Sequence, residues 1–213
     1  MAEQEKASQE KTESETHFPE RLLKQLAFFL KADGEKLITR QTYIGGGSRK
    51  ETDAEHAWSL ALGVILFSEY ANEKIDQLKT IKMVLIHDIV EIEAGDSYAY
   101  DYAAQATAHE REAKAAEDLF GMLPPDQGQE LKALWEEFEA YESPEAKFAH
   151  TLDNFQPLQL NDATDGKSWV EHGAKRSDVM RRNKKTGEGS KELWAYEKEL
   201  IDKHVKLGNL KDC

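Results

Sequence analysis

Apolar residues recur three to four positions apart along most of the chain, which is the spacing of one face of a helix. Pro19 suits a first helical turn, and Asp53 is able to act as the N-cap of a strongly apolar helix. The spacing predicts helices at about 22–30, 53–70, 75–92, 102–121, 131–141, 144–155, 169–182 and 193–205. The charged, alanine-rich helix at 102–121 is expected to be peripheral. No segment alternates like a strand, so the sequence predicts an all-α chain without strands.

The pattern predicts a single domain over residues 17–213, after a disordered or frayed tail at residues 1–16. The tail contains almost no apolar residue, whereas helical spacing continues through the rest of the chain. The stretch "YIGGGSRKETD" is expected to be a flexible loop. It is a poor phosphate-binding loop, because it lacks the Gly-Lys-Ser/Thr ending and no hydrophobic strand precedes it.

The composition narrows the possible partners and compartment. A formal net charge of −13 argues against broad binding to nucleic acid polymers or anionic membranes, although a small anionic substrate remains possible. The single cysteine, Cys213, excludes an internal disulfide framework and suits a reducing cytosol. No apolar run approaches the roughly 20 residues of a membrane span, and no signal peptide opens the chain. These features predict a soluble, cytoplasmic protein.

Four polar residues lie inside or at the end of apolar runs. His56 precedes the run "AWSLALGVILF", His87 and Asp88 end the run "MVLI", and Asp153 lies between Leu152 and Phe155. A single buried histidine is most often a satisfied core residue. Four such groups, however, each need a partner, because an unpaired charge is costly to bury. Convergence on one divalent cation satisfies them all, and these ligand types accept Co, Mn, Mg, Ni, Fe or Zn.

Two further carboxylates follow the His-Asp pair. Glu91 is four residues after His87, which places both on one face if the helix is continuous. Asp96 follows Gly95, where the helix is expected to end, and could approach from a loop. Carboxylates that orient or deprotonate an attacking water are what phosphate hydrolysis requires. Glu91 and Asp96 are therefore the candidate catalytic residues.

The stretches "ETDAEHAW", "HDIVEIEAGD" and "AHTLDNFQPL" resemble the motifs of the HD-domain metal-dependent phosphohydrolases. Within that superfamily they are most similar to the branch of the 5′-deoxynucleotidases and their eukaryotic HD-domain relatives. The resemblance covers roughly residues 20–185. It implies a compact helical bundle, usually a homodimer, with His56, His87, Asp88 and Asp153 as ligands of one divalent cation. It also implies that Arg40 faces the substrate phosphate.

The resemblance has departures that concern substrate selectivity. Gln41 follows Arg40 where those nucleotidases have a tryptophan, and "SYAYD" follows the Gly95-Asp96 pair where they have a proline-containing stretch. Tyr98, Tyr100 and Tyr102 could stack on a base or simply pack. His150 could orient Asp153 or lie on the surface. The run "KRSDVMRRNKK" could complete a phosphate-binding mouth or contact another subunit, although its default interpretation is a solvated basic face.

The sequence therefore predicts a metal-dependent phosphohydrolase that acts on (deoxy)ribonucleoside 5′-monophosphates and releases nucleoside and phosphate. One alternative is a phosphodiesterase or nucleoside polyphosphate hydrolase with the same site. Another is a non-catalytic nucleotide-binding or scaffold protein in which the metal only holds the fold. The presence of both Glu91 and Asp96 argues against that last interpretation, because a structural metal needs neither.

Overall fold

The computed structural model of the protein describes residues 18–95 and 108–212. The tail predicted at 1–16, the candidate catalytic Asp96, and Tyr98, Tyr100 and Tyr102 lie outside these residues. The helices of the described part are α1 (Glu20–Ala32), α2 (Asp53–Phe67), α3 (Gln77–Ile86), α4 (Glu91–Ala94), α5 (Ala108–Phe120), α6 (Pro125–Ala140), α7 (Pro144–Ala163), α8 (Lys167–His172), α9 (Arg176–Arg182), α10 (Thr186–Gly189) and α11 (Lys191–Leu207). Short 3₁₀ helices occur at Asp33–Leu37 and Ser68–Tyr70. The all-α fold class and the compact helical bundle are confirmed.

A small hairpin corrects the prediction that the chain has no strands. Strands β1 (Thr39–Tyr43) and β2 (Lys50–Thr52) pair antiparallel, with an irregular register between them. The three glycines form the turn between these strands. The sequence pattern did not predict these strands, because both are short and polar. They lack the alternation of apolar and polar residues that is typical of a half-buried strand. The hairpin delivers the chain directly into α2.

The start of α2 is held by a capping box that is displaced by one residue from the predicted N-cap. The side chain of Thr52 accepts a hydrogen bond from the amide of Glu55 at 3.4 Å, and the Glu55 carboxylate accepts one from the amide of Thr52 at 3.0 Å. Asp53 is the first helical residue and not the cap. Its carboxylate is buried and accepts a hydrogen bond from Arg40 instead.

The helix predicted over 75–92 is interrupted at the His-Asp pair. Helix α3 ends at Ile86, and α4 begins at Glu91. Between them the amide of Ile89 donates to the carbonyl of Ile86, and the amide of Glu91 donates to the carbonyl of Asp88. These bonds span three residues instead of four, so the chain turns more tightly than an α-helix. Gly95 ends α4 with a positive φ, in agreement with the predicted helix end.

The core lies between α2, α3 and α7, with Leu60, Met83 and Phe148 among its fully buried side chains. Helix α5 belongs to a second apolar cluster through Ala116 and Phe120, so the expectation of a peripheral helix was wrong. The helix predicted over 169–182 is two helices, α8 and α9, because Gly173 adopts a left-handed conformation between them. Ser143 caps α7 as predicted, with Pro144 at its first position. This packing places α2, the end of α3 and the middle of α7 side by side.

Candidate metal centre

The three central helices bring the four predicted ligands together. The Nε2 atom of His56 lies 3.0 Å from Oδ1 of Asp153. The Nε2 atom of His87 lies 3.1 Å from Oδ2 of Asp88 and 3.9 Å from Oδ1 of Asp153. The two imidazole rings are 5.6 Å apart between centroids. Residues separated by almost a hundred positions in the chain therefore meet in one polar cluster within the apolar bundle.

The orientation of His87 leaves a lone pair directed at this cluster. Its Nδ1 atom is 2.9 Å from the carbonyl oxygen of Val84, and a carbonyl can only accept, so Nδ1 carries the proton. When the ring is neutral, as cation binding requires, Nε2 is then the nitrogen that carries the lone pair. Within the described part of the chain, this buried atom has no hydrogen-bond partner. Such a nitrogen is suited to bind a cation.

The orientation of His56 depends on two residues that the sequence analysis missed. Its Nδ1 atom lies 2.9 Å from the side-chain oxygen of Gln156. The amide nitrogen of Gln156 in turn donates to Glu51 at 2.6 Å. The amide oxygen is therefore the acceptor and Nδ1 the donor, which again leaves Nε2 with its lone pair toward the cluster. Gln156 lies one helical turn after Asp153, which is the only sequence signal that could have found it.

Arg40 reaches the centre from strand β1. Its guanidinium donates to Oδ1 of Asp53 at 3.1 Å and to Oδ2 of Asp88 at 2.7 Å. Only 15% of the Arg40 side chain is exposed. Burial opposes its charge, but the carboxylates of Asp88, Asp153, Asp53 and Glu91 outweigh this effect and raise the pKa of Arg40. Arg40 thus remains a fixed positive charge at the edge of the centre.

The field of the carboxylates dominates the protonation of the cluster. Burial disfavours a charged His87, yet Asp88 and Asp153 outweigh burial and raise its pKa well above the ordinary value. Burial and the charge of Arg40 lower the pKa of His56. Burial opposes the ionisation of Asp88 and Asp153, but the two histidines outweigh it and keep the pKa of both carboxyls low. The charge of Arg40 lowers the pKa of Asp88 further. The cluster therefore attracts positive charge.

Two further buried acids flank the centre. Glu35, in the 3₁₀ helix before β1, is buried, and burial together with the charge of Asp88 raises its pKa to about 7. Burial also raises the pKa of Glu51 to about 7, although Arg40 and Gln156 act in the opposite direction. Neither acid was singled out from the sequence. Neither lies on the same helix as a proposed ligand, so no helical spacing relates them to the site. Both belong to chain segments that precede α2.

The remaining predicted residues have different placements. Glu91 begins α4 and is half-buried, and its charge contributes to the raised pKa of Arg40. The tight turn after His87 places it there, so the continuous helix face assumed from the sequence does not exist. The Nε2 atom of His150 donates a hydrogen bond to the carbonyl oxygen of Phe138 at 2.9 Å, because a carbonyl can only accept. His150 also stacks on the Phe138 ring, so it packs within the bundle.

The donor set fits a divalent cation. Ligand atoms of His56, His87 and Asp88 all lie within 4.8 Å of one another, and both histidines direct Nε2, which carries the lone pair of the neutral ring, toward carboxylate oxygen. Two acceptors 3.0 Å apart, such as Nε2 of His56 and Oδ1 of Asp153, repel unless a positive charge lies near them. His56, His87 and Asp88 could therefore hold a metal ion, whose identity the geometry leaves open.

Comparison with known proteins agrees with this centre. The family model described as HD domain matches residues 32–194 of the chain. The chain belongs to the HD-domain family. The matched region contains all the residues described above at the centre, from Glu35 to Gln156. None of the helices in the described part of this HD-domain chain combines the length and apolarity that crossing a membrane requires.

The HD-domain chain is also similar to individual proteins. The bovine (Bos taurus) protein named 5′-deoxynucleotidase HDDC2 is 30% identical over 132 residues, which are 61% of this chain and 63% of that protein. The human one is 29% identical over 52% of each chain. The chain thus spans about half to two thirds of these curated relatives. A solved structure from Magnetospirillum magnetotacticum MS-1, described as a predicted metal-dependent phosphohydrolase, has 46% identity, a TM-score of 0.84, and coverage of 89% of this chain and 95% of that one.

Proposed function

We propose that this chain is a metal-dependent phosphohydrolase that cleaves nucleoside 5′-monophosphates, deoxyribonucleotides included, into nucleoside and phosphate. The observation that carries the proposal is the pair of buried imidazoles that are held through Nδ1 and direct Nε2 at Asp88 and Asp153 beside Arg40. The substrate class is supported by the relatives named 5′-deoxynucleotidase, and hydrolysis of a phosphate ester by the description of the Magnetospirillum protein.

In this proposal His56, His87, Asp88 and Asp153 hold one divalent cation per subunit. A cation bound there supplies Lewis acidity, which activates water and polarises a phosphoryl oxygen. Arg40, already charged and held by Asp53, neutralises part of the charge on the substrate phosphate.

Proton transfer is assigned to acids outside the ligand set. Glu91, whose position after the tight turn lets its charge act on Arg40, would take the proton from the attacking water. Asp96 is proposed for the same task and lies outside the described residues. Retaining either acid has no purpose in a protein whose metal only stabilises the fold.

The quaternary structure is part of the same proposal. Helices α1 and α2 each expose several large apolar side chains, which are Leu22, Leu26, Phe29 and Leu30 on α1 and Trp58, Leu62 and Ile65 on α2. Apolar surface of this extent on two helices is typical of a protein–protein interface. It supports the homodimer that the family resemblance implies. Cytoplasmic placement stays a prediction from the sequence.

The test is phosphate release from a panel of ribo- and deoxyribonucleoside 5′-monophosphates, cyclic nucleotides and nucleoside triphosphates. Metal-stripped protein would be refilled separately with Co, Mn, Mg, Ni, Fe or Zn. We expect release from 5′-monophosphates only, restored by one or two of these metals. Release confined to cyclic nucleotides or triphosphates would support the phosphodiesterase or polyphosphate alternative. Nucleotide binding without release under any metal would support the non-catalytic one.

The matched variants are Asp88→Ala and Asp118→Ala. Asp88→Ala removes a proposed ligand and should lower phosphate release by at least about 100-fold, since even residues that only support ligands cost 10- to 100-fold. Asp118 is an exposed carboxylate on α5 that pairs with Lys114, and its replacement should leave the rate unchanged. An Asp88→Ala protein that keeps the full rate would contradict the proposal.

A further inference from the structure

The basic run "KRSDVMRRNKK" is divided by the fold into surface charges and one residue that faces the metal centre. Arg176 pairs with Asp202 at 2.9 Å, and Arg181 pairs with Asp178 at 2.7 Å. Arg182, the last residue of α9, instead directs its guanidinium at Asp153. The default interpretation of a solvated basic face therefore describes Arg176 and Arg181 but leaves out Arg182.

The backbone at the end of α9, from which the Arg182 side chain extends, is anchored in the fold. Val179 is buried in the third apolar cluster, beside Trp169 and Ile201. Asn183, directly after Arg182, is also buried, and its side chain donates to the carbonyl of Val179 at 2.8 Å. The backbone on both sides of Arg182 is thus anchored, while 33% of its side chain remains exposed and reachable from solvent.

The contact of Arg182 with Asp153 is long. Its Nη2 atom lies 4.0 Å from Oδ2 of Asp153, beyond the usual 2.7–3.2 Å of an N–H···O hydrogen bond. The other oxygen of Asp153, Oδ1, faces the two histidines. Asp153 therefore separates the metal centre from a guanidinium that is close but not hydrogen-bonded to it. Such a group is able to turn toward an anion without breaking a hydrogen bond to Asp153.

Arg40 and Arg182 differ in the hydrogen bonds and ion pairs that they already make. Arg40 donates to Asp53 and Asp88 and is mostly buried, so much of its charge is already compensated. Arg182 contacts a different carboxylate and has no comparably short bond among the described ion pairs. A phosphate monoester adds up to two negative charges to a centre already rich in carboxylates. Arg182 supplies a second positive charge beside Oδ2 of Asp153, a carboxylate with which Arg40 forms no ion pair among the described residues.

From this geometry we infer that Arg182 binds the phosphate group of the substrate, together with Arg40 and from the side of Asp153. The inference rests on the proposed function, because it assigns a second cationic contact to the same phosphomonoester. A guanidinium is suited to the role, since its planar donors match two phosphate oxygens. Arg182 is a phosphate-binding residue in this inference, and it is not needed to hold the metal.

The test compares three variants of the metal-loaded full chain: Arg182→Gln, Arg182→Lys and, as the matched control, Arg181→Gln. Inorganic phosphate is the probe, and its dissociation constant is measured by calorimetry. Arg182→Gln should weaken phosphate binding about 10- to 100-fold, the cost of losing a charge-assisted hydrogen bond. Arg182→Lys keeps the charge without the planar fork and should recover part of this loss. Arg181→Gln should bind phosphate as the unaltered protein does.

The affinity for the metal distinguishes binding of phosphate from support of Asp153. Arg182→Gln should keep the metal dissociation constant of the unaltered protein, and its KM for a nucleoside monophosphate should rise with its phosphate dissociation constant. Unchanged phosphate binding, or a parallel loss of metal affinity, would overturn the inference. If the unaltered protein bound phosphate but hydrolysed no monophosphate, the proposed function would fail, while weaker binding in Arg182→Gln would still support this role for Arg182.

Discussion

Both histidines of the centre are held through Nδ1, by different partners. His87 donates to a backbone carbonyl within its own turn of chain, whereas His56 depends on the side chain of Gln156. Gln156 is itself held by Glu51. A backbone partner cannot be removed by substitution, but the Gln156 contact can. The orientation of His56 is therefore the part of the centre that a single substitution away from the ligands can disturb.

We expect Gln156→Leu to lower the affinity for the divalent cation about 10- to 100-fold, the usual effect of losing a partner of a metal-ligating histidine. The variant removes the acceptor for Nδ1 of His56, so the ring loses the contact that directs Nε2 at the centre. Titration of metal-stripped protein with a competing chelator measures the change. Gln159→Leu, one turn later on α7, is the control, because Gln159 does not contact His56 among the described hydrogen bonds. Equal metal affinity in the two variants would contradict the assignment.

At the scale of elements, the position of α7 depends on its contact with the short helix α10. A Cβ atom added to Gly189 would lie 2.3 Å from Oγ1 of Thr151 and 2.4 Å from the carbonyl of Lys147, both in α7. Thr151 also donates to the carbonyl of Thr186 in α10 at 2.8 Å. The two helices approach so closely that only glycine fits at this position. Helix α7 contains Asp153 and Gln156, so its contact with α10 helps to hold these two residues in position at the centre.

Gly189→Ala should therefore lower the free energy of unfolding by about 1–3 kcal/mol or more, the range for overpacking a tight contact. Backbone carbonyls cannot rotate away from the added methyl group, so α10 must shift from α7. Urea denaturation measures the difference. Gly45→Ala is the matched control, because nothing lies within 4 Å of a Cβ atom there and the glycine does not have a positive φ. If both variants were equally stable, the close approach would not be a constraint.

At the scale of the whole molecule, stability should depend on an acid remote from the centre. Glu197 is fully buried in α11, and burial raises its pKa from 4.5 to about 8, although the nearby Thr186 acts in the opposite direction. The folded protein thus keeps a proton on Glu197 that the unfolded chain releases near its ordinary pKa. A state that binds more protons is favoured at lower pH. The contribution of Glu197 to stability is therefore lost as pH rises through this window.

We expect Glu197→Gln to remove this pH dependence, because glutamine keeps the shape of a protonated glutamate and does not ionise. Relative to the unaltered protein, its free energy of unfolding should increase between about pH 4.5 and 8 and then level off, with a total gain of roughly 5 kcal/mol. Thermal and urea unfolding at several pH values measure the difference. Glu199→Gln changes the same charge on an exposed face of α11 and should show no such trend. A constant difference for Glu197→Gln across this range would contradict a raised pKa.

The sequence by itself determined most of the helices and the composition of the centre. Helical spacing and local caps depend on residues three or four positions apart, so the Ser143 cap of α7 and the amphipathic α11 could be read directly. The rarity of ionisable groups inside apolar runs marked His56, His87, Asp88 and Asp153. Their role as ligands remains a prediction, but their convergence is a feature of the fold.

The tertiary structure decided how these residues are oriented and which others join them. Gln156 meets His56 across 100 positions and Glu51 across 105, and Arg182 meets Asp153 from a separate helix. The break at His87, where the chain turns more tightly than an α-helix, is likewise not contained in any spacing rule. Sequence periodicity reports which face of a helix is buried. It cannot report which buried faces meet, because that is settled by packing among elements far apart in the chain.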